Sequence, residues 1–445
     1  MSKLNSIRTT ALVVLFVAFL AAPAIFAQEV ADTIKIRTRV VFMDALVKDK
    51  RTGVPISDLK AENFELFDDG KPRTISYFNN EGQARKPLAL ILVLDLSDDG
   101  AGRFLKRDEV RASILDELSK LPPGDEVAIL AINANSVDDK TTAIRNGKAM
   151  WLTEFTRDRT QLERGLARIP ALIAEPPKEA KKDAAKADQN DPNREGNSSI
   201  SISSDPNDAG AQPADSKAKG SDVLETETIK GKNGAVITRT IKKDGTVNVN
   251  RKSGSGKVNI EFDNIYDIAI ATRDATHLAE EKRPNSQAAI VWLSDGITPV
   301  FKEDIGATEQ ILIRQNAIFN TLNVDMKTLY KFLLPVAQPA IGWTGISIAG
   351  GAKRLAQQSG GEAVHVSRVR DYGTGLARVI GNLNARYNLG FALAEDERDD
   401  GRMHELTLRV RATDAKGKER RLDVSSRRGY YMPKTETAEA TVRDK

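Results

Sequence analysis

An apolar run, LILVLD, ends at Asp95 and passes into Leu96, Ser97, Asp98 and Asp99, a cluster of short oxygen-bearing side chains with no Lys or Arg among them. Far along the chain a second apolar run, AIVWLSD, ends at Asp295, flanked by Ser294 and Gly296. Two chemistries suit such residues. They can accept backbone N–H groups and cap the helices that follow, or they can offer hard oxygens to a divalent cation such as Mg²⁺, Ca²⁺ or Mn²⁺. In an open α/β sheet, ligands collect beyond the carboxyl ends of the strands. If the two runs are neighbouring strands, Asp95, Ser97, Asp99 and Asp295 converge there. Carboxylates that close repel one another in a partly dry site, and a bound cation removes the repulsion.

Other chemistries lack a comparable pattern. The chain has no cysteine, which excludes disulfides, thiolate ligands and a cysteine nucleophile. His277, His365 and His404 are its three histidines, each far from the others in sequence, which argues against a histidine-built zinc site. The segment GISIA (345–349) lacks the closing glycine of a nucleophile elbow. Neither GKNGAVIT nor IAGGAKRLA carries the Gly-Lys-Thr ending of a phosphate loop. No base or leaving-group donor accompanies the carboxylates, so the expectation is a protein without enzymatic activity.

The elements that would position the cluster follow from periodicity. LALILVLD is a continuous apolar run of the kind found in parallel strands covered on both faces. A helical pattern covers 104–121, with Val110, Ile114, Leu118 and Leu121 on one face, and Pro122-Pro123-Gly124 stops it. Strands are predicted over 126–133, 288–296, 317–324 and 362–366, and helices over 160–169, 266–281, around Ile311, and over 349–358 and 376–386. This alternation specifies an α/β domain with a mainly parallel sheet over 85–386. Residues 28–84 read as a small antiparallel β unit with a hairpin at Asp69-Gly70, where Asp68 and Asp69 are turn residues. Extended segments over 387–434 are predicted to pair with that unit, and 435–445 to be a disordered tail. From 176 to 256 the chain is poor in large apolar residues and is expected to be a disordered insertion, with a weak hairpin pattern in its second part.

Composition and the N-terminus bound the setting. With 445 residues the chain exceeds one ordinary domain. A formal charge of +4 is small against 66 basic and 62 acidic side chains, so no nucleic-acid partner is expected. Lys3 and Arg8 precede the apolar stretch from Ala11 to Ala22, followed by Pro23 and AIFAQ, the pattern of a signal peptide (1–27) cut near Ala27. A retained membrane anchor is the rival reading, but the stretch falls short of the roughly 20 residues that span a bilayer. The expected location is secreted or periplasmic.

Taken as an ordered set, these segments resemble a known family. Asp-x-Ser after the first buried strand, with a later strand ending in Ser-Asp-Gly, is similar to the metal-ion-dependent adhesion site of von Willebrand factor type A domains. The leader, NFELFDDGKPRTISYF, VLDLSDD, LSDG, RYNLGF and RRGYYMP together resemble the secreted VWFA-related proteins typical of acidobacteria. The resemblance implies a Rossmann-like α/β fold. It also implies a divalent cation held by Asp95, Ser97 and Asp295, which an acidic side chain of a protein or cell-surface partner completes. Two positions depart from the family pattern. Asp99 stands where the family has Ser, and aligning the family's Gly-Gly-Thr-x-x-Tyr-Asp with 261–267 puts Asp263 at the Thr position. The extra carboxylates favour the cation, Ca²⁺ especially, while leaving it less charge with which to attract a partner. The competing expectation is a metal-independent structural module of an envelope assembly, with Asp95, Ser97 and Asp295 as helix caps.

Overall fold

Alternation over 34–49 yields one long strand, β1 (Val40–Asp49), followed by β2 (Phe64–Asp68). β2 turns at Asp69 (φ 47°) and Gly70 (φ 78°) into the short strand Lys71–Arg73. Two consecutive left-handed residues fit the right-handed twist of a hairpin. The computed structural model describes residues 39–79, 86–97, 101–134, 143–144, 149–173, 199–203, 223–231, 234–242, 246–254, 256–263, 268–324, 346–394, 396–397 and 399–432. The predicted leader and tail, and residues 176–198 and 204–222 of the insertion, lie outside these. Among the described residues no helix is long and apolar enough to cross a membrane.

β3 (Leu88–Asp95) is buried at every position, as its unbroken apolar run requires. The helical pattern over 104–121 resolves into a turn at Gly102–Leu105 and α1 (Asp108–Leu118). β4 (Glu126–Ile132) lies parallel to β3. β5 (Ala149–Thr156), which periodicity did not announce, runs antiparallel to β4 with two irregularities in register.

The expectation of a disordered insertion is corrected over the residues described. β6 (Val223–Lys230), β7 (Val236–Lys242), β8 (Thr246–Ser253) and β9 (Gly256–Asp263), with Ser199–Ser203 beside β9, form a five-stranded antiparallel sheet. The sheet is hard to read because its docking face carries few apolar residues. Ile237 and Val249 are buried there, but Arg239 and Arg251 take the places between them and pair with Asp304 (2.8 Å) and Glu303 (2.9 Å).

After this sheet come α2 (Ile268–Lys282), β10 (Gln287–Ser294), α3 (Lys302–Arg314), β11 (Ile318–Val324), α4 (Gly351–Ser359), β12 (Ala363–Val366) and α5 (Tyr372–Asn384). The main sheet has seven strands in the order β12-β11-β10-β3-β4-β5, with Ala143–Ile144 at the far edge. It is parallel from β12 to β4. Leu92 and Leu94 pack with α1 and α5 on one face, and Ile91, Val93 and Trp292 with α2, α3 and α4 on the other. This is a mixed α/β body, three layers deep, with β3 and β10 adjacent at its centre.

The chain then returns to its start. β13 (Tyr387–Ala392) and β15 (Leu422–Ser426) pair antiparallel with β1 on its two sides, and β14 (Met403–Val410) pairs with β2. Met43, Leu66, Leu389, Phe391 and Tyr430 fill the space between the two small sheets. The Tyr387 hydroxyl donates to the Ile56 carbonyl (2.7 Å) and accepts from Leu59 N–H (3.1 Å). From Met43 to Lys48 β1 is buried on both faces, because its second face lies on the α/β body. There Lys48 pairs with Glu362, and Arg427 donates to the carbonyls of Phe42 and Ile313. Burial raises the Asp44 carboxyl above its ordinary value, against the opposing pull of Arg386 and Arg427.

Candidate metal centre

The carboxyl ends of β3, β4, β10 and β11 meet at one edge of the main sheet, and β3 delivers Asp95 there, 5% exposed. Its Oδ1 accepts Ser97 N–H and the Asn133 side-chain amide, both at 3.1 Å, and its Oδ2 accepts the Ser294 hydroxyl at 3.3 Å. That hydroxyl also lies 3.5 Å from Asp295 Oδ1 and accepts Gly296 N–H at 3.2 Å. Asp295 is 8% exposed. One serine therefore stands between two buried carboxylates, one from each central strand. All three donors to Asp95 are neutral, and among the described residues Asp95 has no ion-pair partner. Neutral dipoles alone hold this buried carboxylate, which leaves the position beside it chemically suited to a cation.

The loop after Asp95 is shaped by close backbone approach. Leu96 N–H donates to the Ile132 carbonyl (2.9 Å) and Gly102 N–H to the Ser97 carbonyl (3.1 Å). A Cβ on Gly102 would stand 2.4 Å from Leu96 O and 2.7 Å from Ser97 O, so only glycine lets the chain fold back this tightly. After β10 the chain leaves through Gly296 at φ 81°, next to Asn323 at the end of β11.

The predicted site residues divide accordingly. Asp95, Ser97 and Asp295 share this edge; Asp99 lies outside the described residues. Asp263 ends β9 in register with Thr246, so this stretch is a strand of the added sheet and not the opening of a helix. Its side chain is not described. Ser294 and Asn133 were missed. Ser294 lies inside the SDG motif and Asn133 closes the strand EVAILAIN, where a left-handed φ of 55° turns it toward Asp95. The helix-cap alternative has no counterpart at Asp95. The N–H it accepts is that of Ser97, two residues on, and the N-cap positions of the following helices, Ala101 and Arg107, make no side-chain cap. Likewise α3 starts after Phe301 without one.

No protein-family model matches the chain, and no curated protein matches it. Solved structures with which it shares a partial likeness include the SpRpn10 VWA domain, at 8% identity and a TM-score of 0.30, over 65% of this chain and 94% of that one. The PilB minor pilin from Streptococcus sanguinis aligns at 8% identity and a TM-score of 0.29, over 67% of this chain and 62% of that one. The pilus adhesin SpaC from Lactobacillus rhamnosus GG, in its open conformation, aligns at 8% identity and 0.32, over 82% of this chain and 47% of that one. This chain thus spans less than two thirds of the pilin and less than half of the adhesin. Likenesses this distant carry no inference about ligands.

Proposed function

We propose that this is a secreted, non-enzymatic binding protein of the von Willebrand A type, similar to the acidobacterial VWFA-related proteins its motifs resemble. In this reading a divalent cation sits at the carboxyl ends of β3 and β10. The observation that carries it is Asp95, a buried carboxylate with three neutral donors and no cationic partner among the described residues, joined through Ser294 to a second buried carboxylate, Asp295. Hard oxygens alone fit Mg²⁺, Ca²⁺ or Mn²⁺. Asp95, Ser97 and Asp295 would hold the ion, with Asp99 and Asp263 as further oxygen donors. Asn133 and Ser294 orient Asp95. Bound there, the cation supplies a Lewis-acidic position for an acidic group of a protein or surface partner.

One observation favours the metal-independent module instead: both oxygens of Asp95 already accept hydrogen bonds. The test is retention of the chain on an immobilised glutamate-rich peptide in Mg²⁺, in Ca²⁺, in Mn²⁺ and in chelator, beside Asp95→Ala. Retention that needs a cation and disappears in Asp95→Ala supports the adhesion reading. Absence of retention with every ion, or retention indifferent to chelator, overturns it.

A further inference from the structure

The hairpin after β2 meets β14 at a point where three ligand-type atoms gather far from Asp95. One carboxylate oxygen each of Asp68 and Asp69 and one ring nitrogen of His404 lie within 4.8 Å of one another. Asp68 was expected to be a turn residue. It is instead the last residue of β2, 3% exposed, and its Oδ1 is buried without a hydrogen-bond partner. Three of the trio's other atoms are held from outside. Asp68 Oδ2 accepts from Arg73 Nη2 (2.8 Å), Arg73 Nε (3.0 Å) and the Tyr430 hydroxyl (3.1 Å). Asp69 Oδ1 accepts Glu405 N–H at 2.8 Å, and His404 Nε2 faces Asp400 Oδ1 at 3.2 Å. The His404 ring, 5% exposed, lies stacked on Tyr430 with centroids 5.1 Å apart.

What remains is Asp68 Oδ1, Asp69 Oδ2 and His404 Nδ1, the last two 3.0 Å apart. Both ring nitrogens of His404 thus face carboxylate oxygens. One N–H cannot serve both contacts; either a second N–H or a cation at one ring nitrogen is needed. A cation on Nδ1, with the proton on Nε2 directed at Asp400, satisfies both and reproduces the carboxylate–histidine–metal arrangement that orients metal-bound imidazoles. Ligand bonds near 2.0–2.1 Å in a tetrahedron put donor atoms about 3.3 Å apart, close to the Asp69–His404 spacing. Imidazole with two carboxylates suits zinc-like ions better than Ca²⁺ or Mg²⁺.

We propose that Asp68, Asp69 and His404 bind one zinc-type divalent ion, with solvent as fourth ligand, and that this ion fastens the N-terminal hairpin to the C-terminal strand β14. The site is independent of the centre at Asp95.

The test is calorimetric titration of the untagged, chelator-stripped full chain with Zn²⁺, beside His404→Gln, Asp69→Asn and Asp95→Ala. Asp69→Asn guards against misfolding as the cause of any loss, because asparagine tolerates the positive φ at 69 and still accepts Glu405 N–H. The expected result is one equivalent of Zn²⁺, weakened at least about tenfold in both His404→Gln and a folded Asp69→Asn, and unchanged in Asp95→Ala. No Zn²⁺ binding overturns the proposal. So does binding that survives Asp69→Asn, or binding that Asp95→Ala abolishes.

Discussion

Removing the guanidinium of Arg239 should undock the sheet β6–β9 from α3. Arg239 and Asp304 are 1% and 2% exposed and 2.8 Å apart. Burial of a charge is offset only while its partner remains, so Arg239→Met leaves the Asp304 carboxylate without its guanidinium. Breaking a buried pair from one side typically destabilises by about 3–5 kcal/mol. Glu227, the second partner of Arg239, adds little to the loss, since it is 26% exposed and Arg273 also holds it at 2.8 Å. Arg251–Glu303 and the buried Ile237 and Val249 remain, so the damage should concentrate in the sheet. Hydrogen exchange read peptide by peptide should accelerate by about 10²–10⁴-fold over 223–263, with a smaller change in the peptides of β3 and β10. Replacing both partners, Arg239→Met with Asp304→Leu, should recover most of the protection, because an apolar pair needs no charge compensation. Less than about a tenfold change in Arg239→Met, or a double variant no better protected than the single, would refute the reasoning.

Three further outcomes follow. Gly102→Ala should push the Leu96–Ser97 backbone out of place and weaken cation binding with every ligand side chain intact. Gly381→Ala, at a helical position with open space around its Cβ, should stabilise by about 0.5–1 kcal/mol; titration and urea unfolding of the two variants check this. At Asp44 burial raises the carboxyl above 3.8. The folded state therefore binds the extra proton, and this group's contribution to stability falls as pH rises from about 3.8 through the raised value. Asp44→Asn should flatten that slope in urea midpoints measured at stepped pH, and an unchanged slope would contradict it.

What could be read from the sequence is what local pattern determines. β3 and β10 announce themselves because strands covered on both faces leave unbroken apolar runs, and the residues ending them, Asp95 and Asp295, then fall at the ligand-collecting edge. The docked sheet was hidden because charge pairs hold it: nothing local to Arg239 or Arg251 says that Asp304 and Glu303 wait on a helix more than 50 residues on. The burial of Asp68 was hidden for the same reason, since one of its partners, Tyr430, lies 362 residues away. A motif alignment put Asp263 at the opening of a helix, whereas it ends the strand β9. Ser294 stood in view inside Ser-Asp-Gly, but its hydroxyl between two carboxylates becomes visible only when β3 and β10 are known to be neighbours.

The central claim is that the carboxyl ends of β3 and β10 hold a cation, and the melting temperature of residues 28–445 tests it most directly. The comparison is chelator against about 1 mM Mg²⁺, Ca²⁺ or Mn²⁺, for the parent chain and Asp95→Ala. A Kd near 0.1 mM adds roughly 1.4 kcal/mol, or about 2 °C for a chain of this size. The account predicts that shift with at least one of these ions in the parent chain and its loss in Asp95→Ala. The same melting temperature with and without each ion, or a shift that Asp95→Ala retains, would contradict it.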